Sequence, residues 1–174
     1  MAYTTKKTFL TDAVLTAADM NTYVSDNVEW VYDLIKAWEG GVPAARVSCS
    51  TSFEVAGSAT TAIVFDTEVL DTDAIWEVAA PTRLTCKTAG VYLITGNVKF
   101  AQAQNFIIQL NGSAIAYYSD TVTEAPKTIT TIYPLSVNDY VELFVKNTAG
   151  TAQNVMYVEG VSPVFSMVYM GPSA

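Results

Sequence analysis

Gly90-Val91-Tyr92-Leu93-Ile94-Thr95-Gly96-Asn97-Val98-Lys99-Phe100 is the stretch that decides the fold. Tyr92, Ile94, Gly96, Val98 and Phe100 fall on one parity, and Val91, Leu93, Thr95, Asn97 and Lys99 on the other. A period of two is the mark of a strand that turns one face to a core. The alternation returns in Val141, Leu143 and Val145 against Tyr140, Glu142, Phe144 and Lys146. Working outward, strands are expected over 45–50, 62–70, 75–78, 83–86, 91–100, 106–110, 128–133, 140–146, 155–158 and 164–170. Asn111-Gly112 between two such runs reads as a tight hairpin turn. Residues 79–82 and 121–127 read as loops. Many short strands with frequent turns and no intervening helix predict a mainly β fold, an antiparallel sandwich. In several strands both faces carry apolar or aromatic groups. A lone sandwich buries one face of each sheet, so the second apolar face implies a neighbouring subunit.

Ahead of the β-region, which spans 42–174, lies a segment of another kind, 1–41. Residues 1–15 read as an extended leader and 16–39 as one amphipathic helix. Thr16 suits the N-cap, Asp19 follows in the positive first turn, and Gly40-Gly41 with Pro43 stops the helix. Val24, Val28, Val31, Ile35 and Trp38 repeat at the spacing of a coiled-coil seam. A second, overlapping seam runs through Met20, Val24, Asn27, Val31, Leu34 and Trp38. One helix of this length is marginal in water, so its apolar stripe needs a partner. That partner is either the chain's own β-domain, copies of the helix around a three-fold axis, or a larger particle.

Composition narrows the function classes. Of the 174 residues 51% are hydrophobic and only 15% charged, where about 25% is usual. No apolar run reaches the ~18 residues of a membrane span, and Thr8-Phe9-Leu10-Thr11-Asp12 interrupts any secretory h-region. Subunit contact is the remaining cause of the charge deficit, which favours an oligomer. A net charge of −8 without clustered Lys or Arg argues against nucleic-acid binding. The absence of histidine removes the commonest general base and metal ligand. No nucleophile elbow or phosphate-cradling glycine loop is present, so no enzyme, cofactor or catalytic residue is expected. Cys49 and Cys86 read as buried free thiols, with a disulfide left open.

Two resemblances join these readings. Leu15-Thr16-Ala17-Ala18-Asp19-Met20-Asn21-Thr22-Tyr23-Val24-Ser25-Asp26-Asn27-Val28-Glu29-Trp30 resembles the N-terminal segment of many tailed-phage structural proteins. Phe65-Asp66-Thr67-Glu68-Val69, Ile75-Trp76 and Leu84-Thr85-Cys86-Lys87-Thr88-Ala89-Gly90-Val91-Tyr92-Leu93 resemble the C1q/TNF jelly roll. So do Gln109-Leu110-Asn111-Gly112, the run from Leu135 through Asp139 to Leu143, and Phe165-Ser166-Met167-Val168-Tyr169. Within that motif Gly90 is expected to let the chain turn sharply into its long strand. Asn138 stands where the family commonly has glycine, and asparagine tolerates the same left-handed turn.

The resemblance implies a compact homotrimer, and some C1q-like proteins bind calcium. The acids Asp66, Glu68, Asp71, Asp73 and Glu77 lack EF-hand spacing and read as solvated charge, so no metal site is assigned. Asp66, Asp71 and Asp73 are the candidate ligands should an ion bind. Tyr117, Tyr118, Tyr133 and Tyr157 could make a carbohydrate platform, although interfaces also enrich tyrosine. The leading expectation is a trimeric capsid decoration or head-fibre protein on the virion surface, made in the host cytoplasm. Residues 1–41 would anchor it to other virion proteins, above all the major capsid protein. The alternatives are a tail-fibre or tail-tip head for a host surface ligand, and a stand-alone C1q-like binding protein.

Overall fold

The computed structural model describes residues 16–20, 24, 25, 27–29, 31, 32, 41–101, 104–119 and 125–173, the side chains of Asp19 and Met20 excepted. The chain divides into two compact units, Met1–Gly41 and Val42–Ala174. In the first, helix α1 spans Ala17–Met20 and starts directly after Thr16. Residues 27–29 and 31–32 are also helical, while 24–25 sit in a wider π-type turn. The remainder of the expected helix lies outside the described residues.

The second unit is a pair of antiparallel sheets. Its strands are β1 Ala44–Ser48, β2 Phe53–Val55, β3 Thr60–Ala62, β4 Thr67–Asp71, β5 Arg83–Thr85 and β6 Gly90–Phe100. They continue as β7 Gln104–Leu110, β8 Ser113–Ser119, β9 Pro126–Leu135, β10 Tyr140–Asn147, β11 Gln153–Met156 and β12 Val164–Gly171. The first sheet, of seven strands, is built around β6, which pairs with β9 over residues 90–99, with β12 over 91–97 and with β11 at 99–100. Beyond β12 come β1 and β4, and beyond β11 comes β2. The second sheet, of five strands, runs β3-β10-β7-β8, with β5 also on β10.

The core between the sheets is supplied by the parity read from the sequence. Tyr92, Ile94, Val98 and Phe100 from β6 are buried with Phe165 and Met167 from β12 and with Val141, Leu143 and Val145 from β10. Each such aliphatic side chain contributes about 1.5–3 kcal/mol on burial. Gly96 keeps the sheets close: a Cβ there would stand 2.7 Å from both methyls of Leu143. The hairpin turn between β7 and β8 is Asn111-Gly112, with φ of 48° and 83°, and Asn138 does adopt the left-handed conformation at φ 72°.

Some boundaries differ from expectation. The stretch 62–70 is not one strand: β3 belongs to the second sheet and β4 to the first. Between them Ile63 and Phe65 stay buried while their amides donate to Leu143 and Pro81, so the chain crosses the core edge without losing hydrogen bonds. Residues 75–78 form only an isolated bridge, Trp76 to Leu84. β9 begins at Pro126, inside the expected loop, and β11 ends at Met156 rather than 158. β2 and β8 stand outside the expected strands.

Candidate interaction surface

Strands β1, β12, β6 and β9 carry the opposite parity of the same pattern to the outside of the first sheet. The register places Ala44 opposite Val168, Val168 opposite Leu93, and Leu93 opposite Ile132. An unbroken apolar row therefore crosses four adjacent strands. Ile132 is 62% exposed and Val168 38%, and Met170 further along β12 is 60% exposed. The next row, Arg46, Ser166, Thr95 and Thr130, is made of hydroxyls beside one guanidinium. Thr95 and Thr130 share a hydroxyl contact at 3.3 Å, and Arg46 Nη2 donates to the Gly160 carbonyl at 3.1 Å. The third row holds Ser48, Val164, Asn97 and Thr128.

The outer face of the second sheet has an apolar row too: Ala62, Phe144, Ile107 and Tyr117. It is finished differently. Ile107, flanked by its register partners Phe144 and Tyr117, is buried. Beside it Glu142 is buried, accepts from Thr82 Oγ1 at 2.6 Å and pairs with Arg83 Nε at 3.4 Å. The Arg83 guanidinium lies 3.9 Å over the Tyr140 ring. Tyr117 at the end of this row is 58% exposed, so each sheet leaves a large side chain of its outer row open, Tyr117 here and Ile132 on the first sheet.

The acid-rich stretch is committed to the fold's own hydrogen bonds. Asp66 Oδ1 accepts from the Ser50 amide and Thr67 Oγ1, both at 2.8 Å, and Oδ2 accepts from Ser50 Oγ at 2.6 Å. Slight burial pushes its carboxyl upward, but the Ser50 and Thr67 hydrogen bonds outweigh that and hold it below the ordinary value. Asp71 accepts from the amides of Asp73, Ile75 and Trp76, capping the loop after β4. Asp73 Oδ2 accepts from Thr88 Oγ1. Among the described residues no group of His, Cys, Asp and Glu comes together to hold a metal ion.

Solved structures share this fold over about three quarters of the chain. The globular domain of zebrafish complement 1qA superposes with a TM-score of 0.54 at 14% identity, over 75% of this chain and 99% of that one. Eiger TNF from S. frugiperda superposes with a TM-score of 0.51 at 16% identity, over 76% of this chain and 95% of that one. The fold is a C1q/TNF-like jelly roll. No protein-family model matches the chain, and no curated protein matches it.

The residues that carried the jelly-roll resemblance are fold-makers. Phe65 and Phe165 stack across the core with centroids 5.9 Å apart, and Trp76 Nε1 donates to the Pro81 carbonyl. Tyr92 is buried, meets Tyr169 edge-on at 5.6 Å and donates its hydroxyl to the Thr88 carbonyl at 2.6 Å. Gly90 corrects the reading given it: its φ is ordinary, and what it provides is clearance. A Cβ would stand 2.2 Å from the Tyr169 ring and 2.6 Å from the Gly171 carbonyl. Asn111 and Asp139, far apart in sequence, join two turns through Asn111 Nδ2 to Asp139 Oδ1 at 2.7 Å.

Cys49 and Cys86 are free and buried, donating to the carbonyls of Val64 and Thr88. Burial first, then the Asp66 charge, pushes the Cys49 thiol up to about 12. Burial likewise raises Cys86, with Asp139 and Asp73 adding to it.

The tyrosines proposed as a platform do not share a face. Tyr117 points outward from β8, its neighbour Tyr118 packs inward on Phe106, Tyr133 packs against the core, and Tyr157 lies in a loop. In the first unit Val24, Val28 and Val31 are exposed at 47%, 63% and 45%, and Asn27 is half-buried. The side chains of Met20, Leu34, Ile35 and Trp38 lie outside the described residues. Ile132, Val168 and Leu93 were not singled out from sequence. Their signal was present as apolar residues standing out of phase with the core parity.

Proposed function

We propose that this chain is a non-enzymatic structural protein of a tailed-bacteriophage particle, working as a homotrimer. The jelly rolls form its head, and residues 1–41 attach it to the capsid as a decoration or head-fibre protein. The observation that carries the self-association is the outward apolar row Val168, Leu93 and Ile132 of the first sheet, with Ile132 62% and Val168 38% exposed. Burying such a row supplies the ~25 cal/mol per Å² that subunit contact needs. The likeness to C1q and TNF domains supports a binding or structural role for the head. The attachment role draws on the N-terminal run from Leu15 to Trp30.

Light scattering on the full-length chain tests the assembly. The expected mass is three times the 18.8 kDa chain, and a clean monomer overturns the reading. Co-sedimentation with particles that lack the protein tests the attachment. Pelleting with capsids supports decoration, whereas binding only to host-cell envelopes would move the protein to a tail tip.

A further inference from the structure

Asn111 has a chemical property besides its turn conformation. Of the chain's asparagines it alone precedes a glycine, and both residues are exposed at the tip of the β7–β8 hairpin. Asparagine is a thermolabile residue, because the next backbone nitrogen can attack its side-chain carbon. With glycine in the next position no side chain shields that nitrogen. Around Gly112 the space is open: a Cβ there would meet nothing within 4 Å beyond its chain neighbours. The fold nevertheless holds the Asn111 amide group from both ends. Its Oδ1 accepts from the Tyr140 amide at 3.0 Å, and its Nδ2 donates to Asp139 Oδ1 at 2.7 Å. Asp139 is itself fixed, its Oδ2 accepting from the Ser136 amide at 2.7 Å.

We propose that Asn111 is the site at which this chain deamidates spontaneously, and that Asp139 guards it by pinning the side-chain amide to the β9–β10 turn. In the reaction hydroxide takes the proton of the Gly112 nitrogen, which then attacks Asn111 Cγ. The new C–N bond closes a cyclic imide as the Cγ–Nδ2 bond breaks. Ammonia leaves with a proton from water, and the hydroxide is regenerated. Water then opens the imide at either carbonyl, giving aspartate or isoaspartate, and no oxidant or reductant takes part. Ring closure makes Cγ tetrahedral, which the planar amide held between Tyr140 and Asp139 cannot do without giving up those bonds. The bond to Asp139 is the stronger of the two, because its acceptor is a carboxylate. The product also undoes the latch for good. Aspartate at 111 has no donor to offer Asp139 and sets a like charge beside it, so the two turns part.

Peptide mapping by mass spectrometry is the test, on the full chain held in mildly alkaline buffer below its melting temperature. Isoaspartate at 111 is the signature of the imide. In denaturant Asn111 should react ahead of every other asparagine, and in the folded native chain it should react far more slowly. Asp139→Ala should raise the folded rate roughly tenfold, the factor that one hydrogen bond to a charged group represents. Asp139→Asn keeps one acceptor oxygen and should fall between the two. Asn147→Leu removes buried hydrogen bonds at the opposite end of β10, so it loosens the domain without touching the latch. Its rate at Asn111 should stay native. A denatured chain that leaves Asn111 intact while other asparagines react overturns the site. Three results overturn the guard: a folded native chain as fast as the denatured one, Asp139→Ala at the native rate, or Asn147→Leu accelerated as much as Asp139→Ala. Where Asp139→Ala does not fold, Asp139→Asn carries the comparison, and a native rate there overturns the guard as well.

Discussion

Replacing Asn147 tests whether the far end of the jelly roll is held as its hydrogen bonds imply. Asn147 closes β10 and is fully buried. Its Nδ2 donates to the carbonyls of Val55 at 3.0 Å, Ala56 at 3.1 Å and Thr151 at 3.0 Å. Its Oδ1 accepts from the Ala149 amide at 2.9 Å and from Gln104 Nε2 at 3.2 Å. Gln104 in turn accepts from the Thr148 amide at 2.8 Å. The amide thus ties the β2–β3 turn, the start of β7 and the β10–β11 turn together. Gly57 lies against the same turn, where a Cβ would meet the Gly150 carbonyl at 2.5 Å. Asn147→Leu keeps the volume and removes every bond. The contacts to Val55 and Gln104 are the fully buried ones, and water can reach the others. Two dry orphans at about 1–3 kcal/mol each put the loss near 2–6 kcal/mol. At about 3 °C per kcal/mol for a domain of this size, the melting temperature should fall on the order of 10 °C. Circular-dichroism melts at matched chain concentration read it, since association shifts apparent stability. A melt within about 2 °C of the native chain would refute the reasoning. Asn147→Asp should fare worse at neutral pH, because a carboxylate would then face three carbonyls.

Gly90→Ala should cost ~1–3 kcal/mol by overpacking against Tyr169 and the Gly171 carbonyl, seen as a fall of several degrees in the same melts. Asp66→Asn should lower stability at neutral pH. Because the native carboxyl lies below its ordinary value, its contribution is present above about pH 4 and disappears as pH falls through the folded-state pKa. The gap between the two melts should therefore close in acid; a gap that widens there contradicts the Ser50 and Thr67 assignment. Iodoacetamide at pH near 8 should leave Cys49 and Cys86 unmodified in the folded chain and alkylate both in denaturant. Rapid native labelling of Cys49 would deny its burial against Val64. Ile132→Lys should shift the oligomer to monomer in light scattering, whereas Tyr117→Lys, on the outer face of the second sheet, should leave the mass unchanged.

The parts of this fold that were legible in the sequence are those set by neighbours in the chain. Tyr92, Ile94, Val98 and Phe100 announce a half-buried strand because alternation is local, and Asn111-Gly112 and Asn138 announce turns because positive φ selects them. Strand β8 was missed because Ala114 and Ala116 carry little hydrophobic signal. The break between β3 and β4 was missed because 62–70 is rich in β-forming residues and holds no Gly or Pro to mark an interruption. What divides it is a pair of distant carbonyls, Leu143 and Pro81. Gly90 was recognised as special for the wrong reason, since its constraint is a ring almost eighty positions on, and no pattern around residue 90 reports it. The candidate calcium acids show the same limit. Their charges are visible in the sequence, whereas the Ser50, Thr67 and Thr88 hydroxyls that engage Asp66 and Asp73 are brought there by the fold. Of the candidate surface, the sequence showed a second apolar parity but not which of its residues stay exposed.

That last distinction is where composition becomes mechanism. A low share of charged residues raises the question of where the uncovered apolar surface goes, and composition alone spreads it over the whole molecule. The two sheets answer it as an internal comparison, with one chain, one core and two outer faces. On the second sheet Ile107 is buried between Phe144 and Tyr117, and Glu142 is paired with Thr82 and Arg83, which leaves Tyr117 as the exposed apolar end of that row. On the first sheet the equivalent row ends at Ile132 with its side chain open, and carboxylates are absent from β1, β6, β9 and β12. A face that served only as a solvent boundary would gain solubility from the acids that this chain places elsewhere. Keeping them off the four strands that carry the apolar row Val168, Leu93 and Ile132 is the pattern expected of a surface whose stable state includes another molecule.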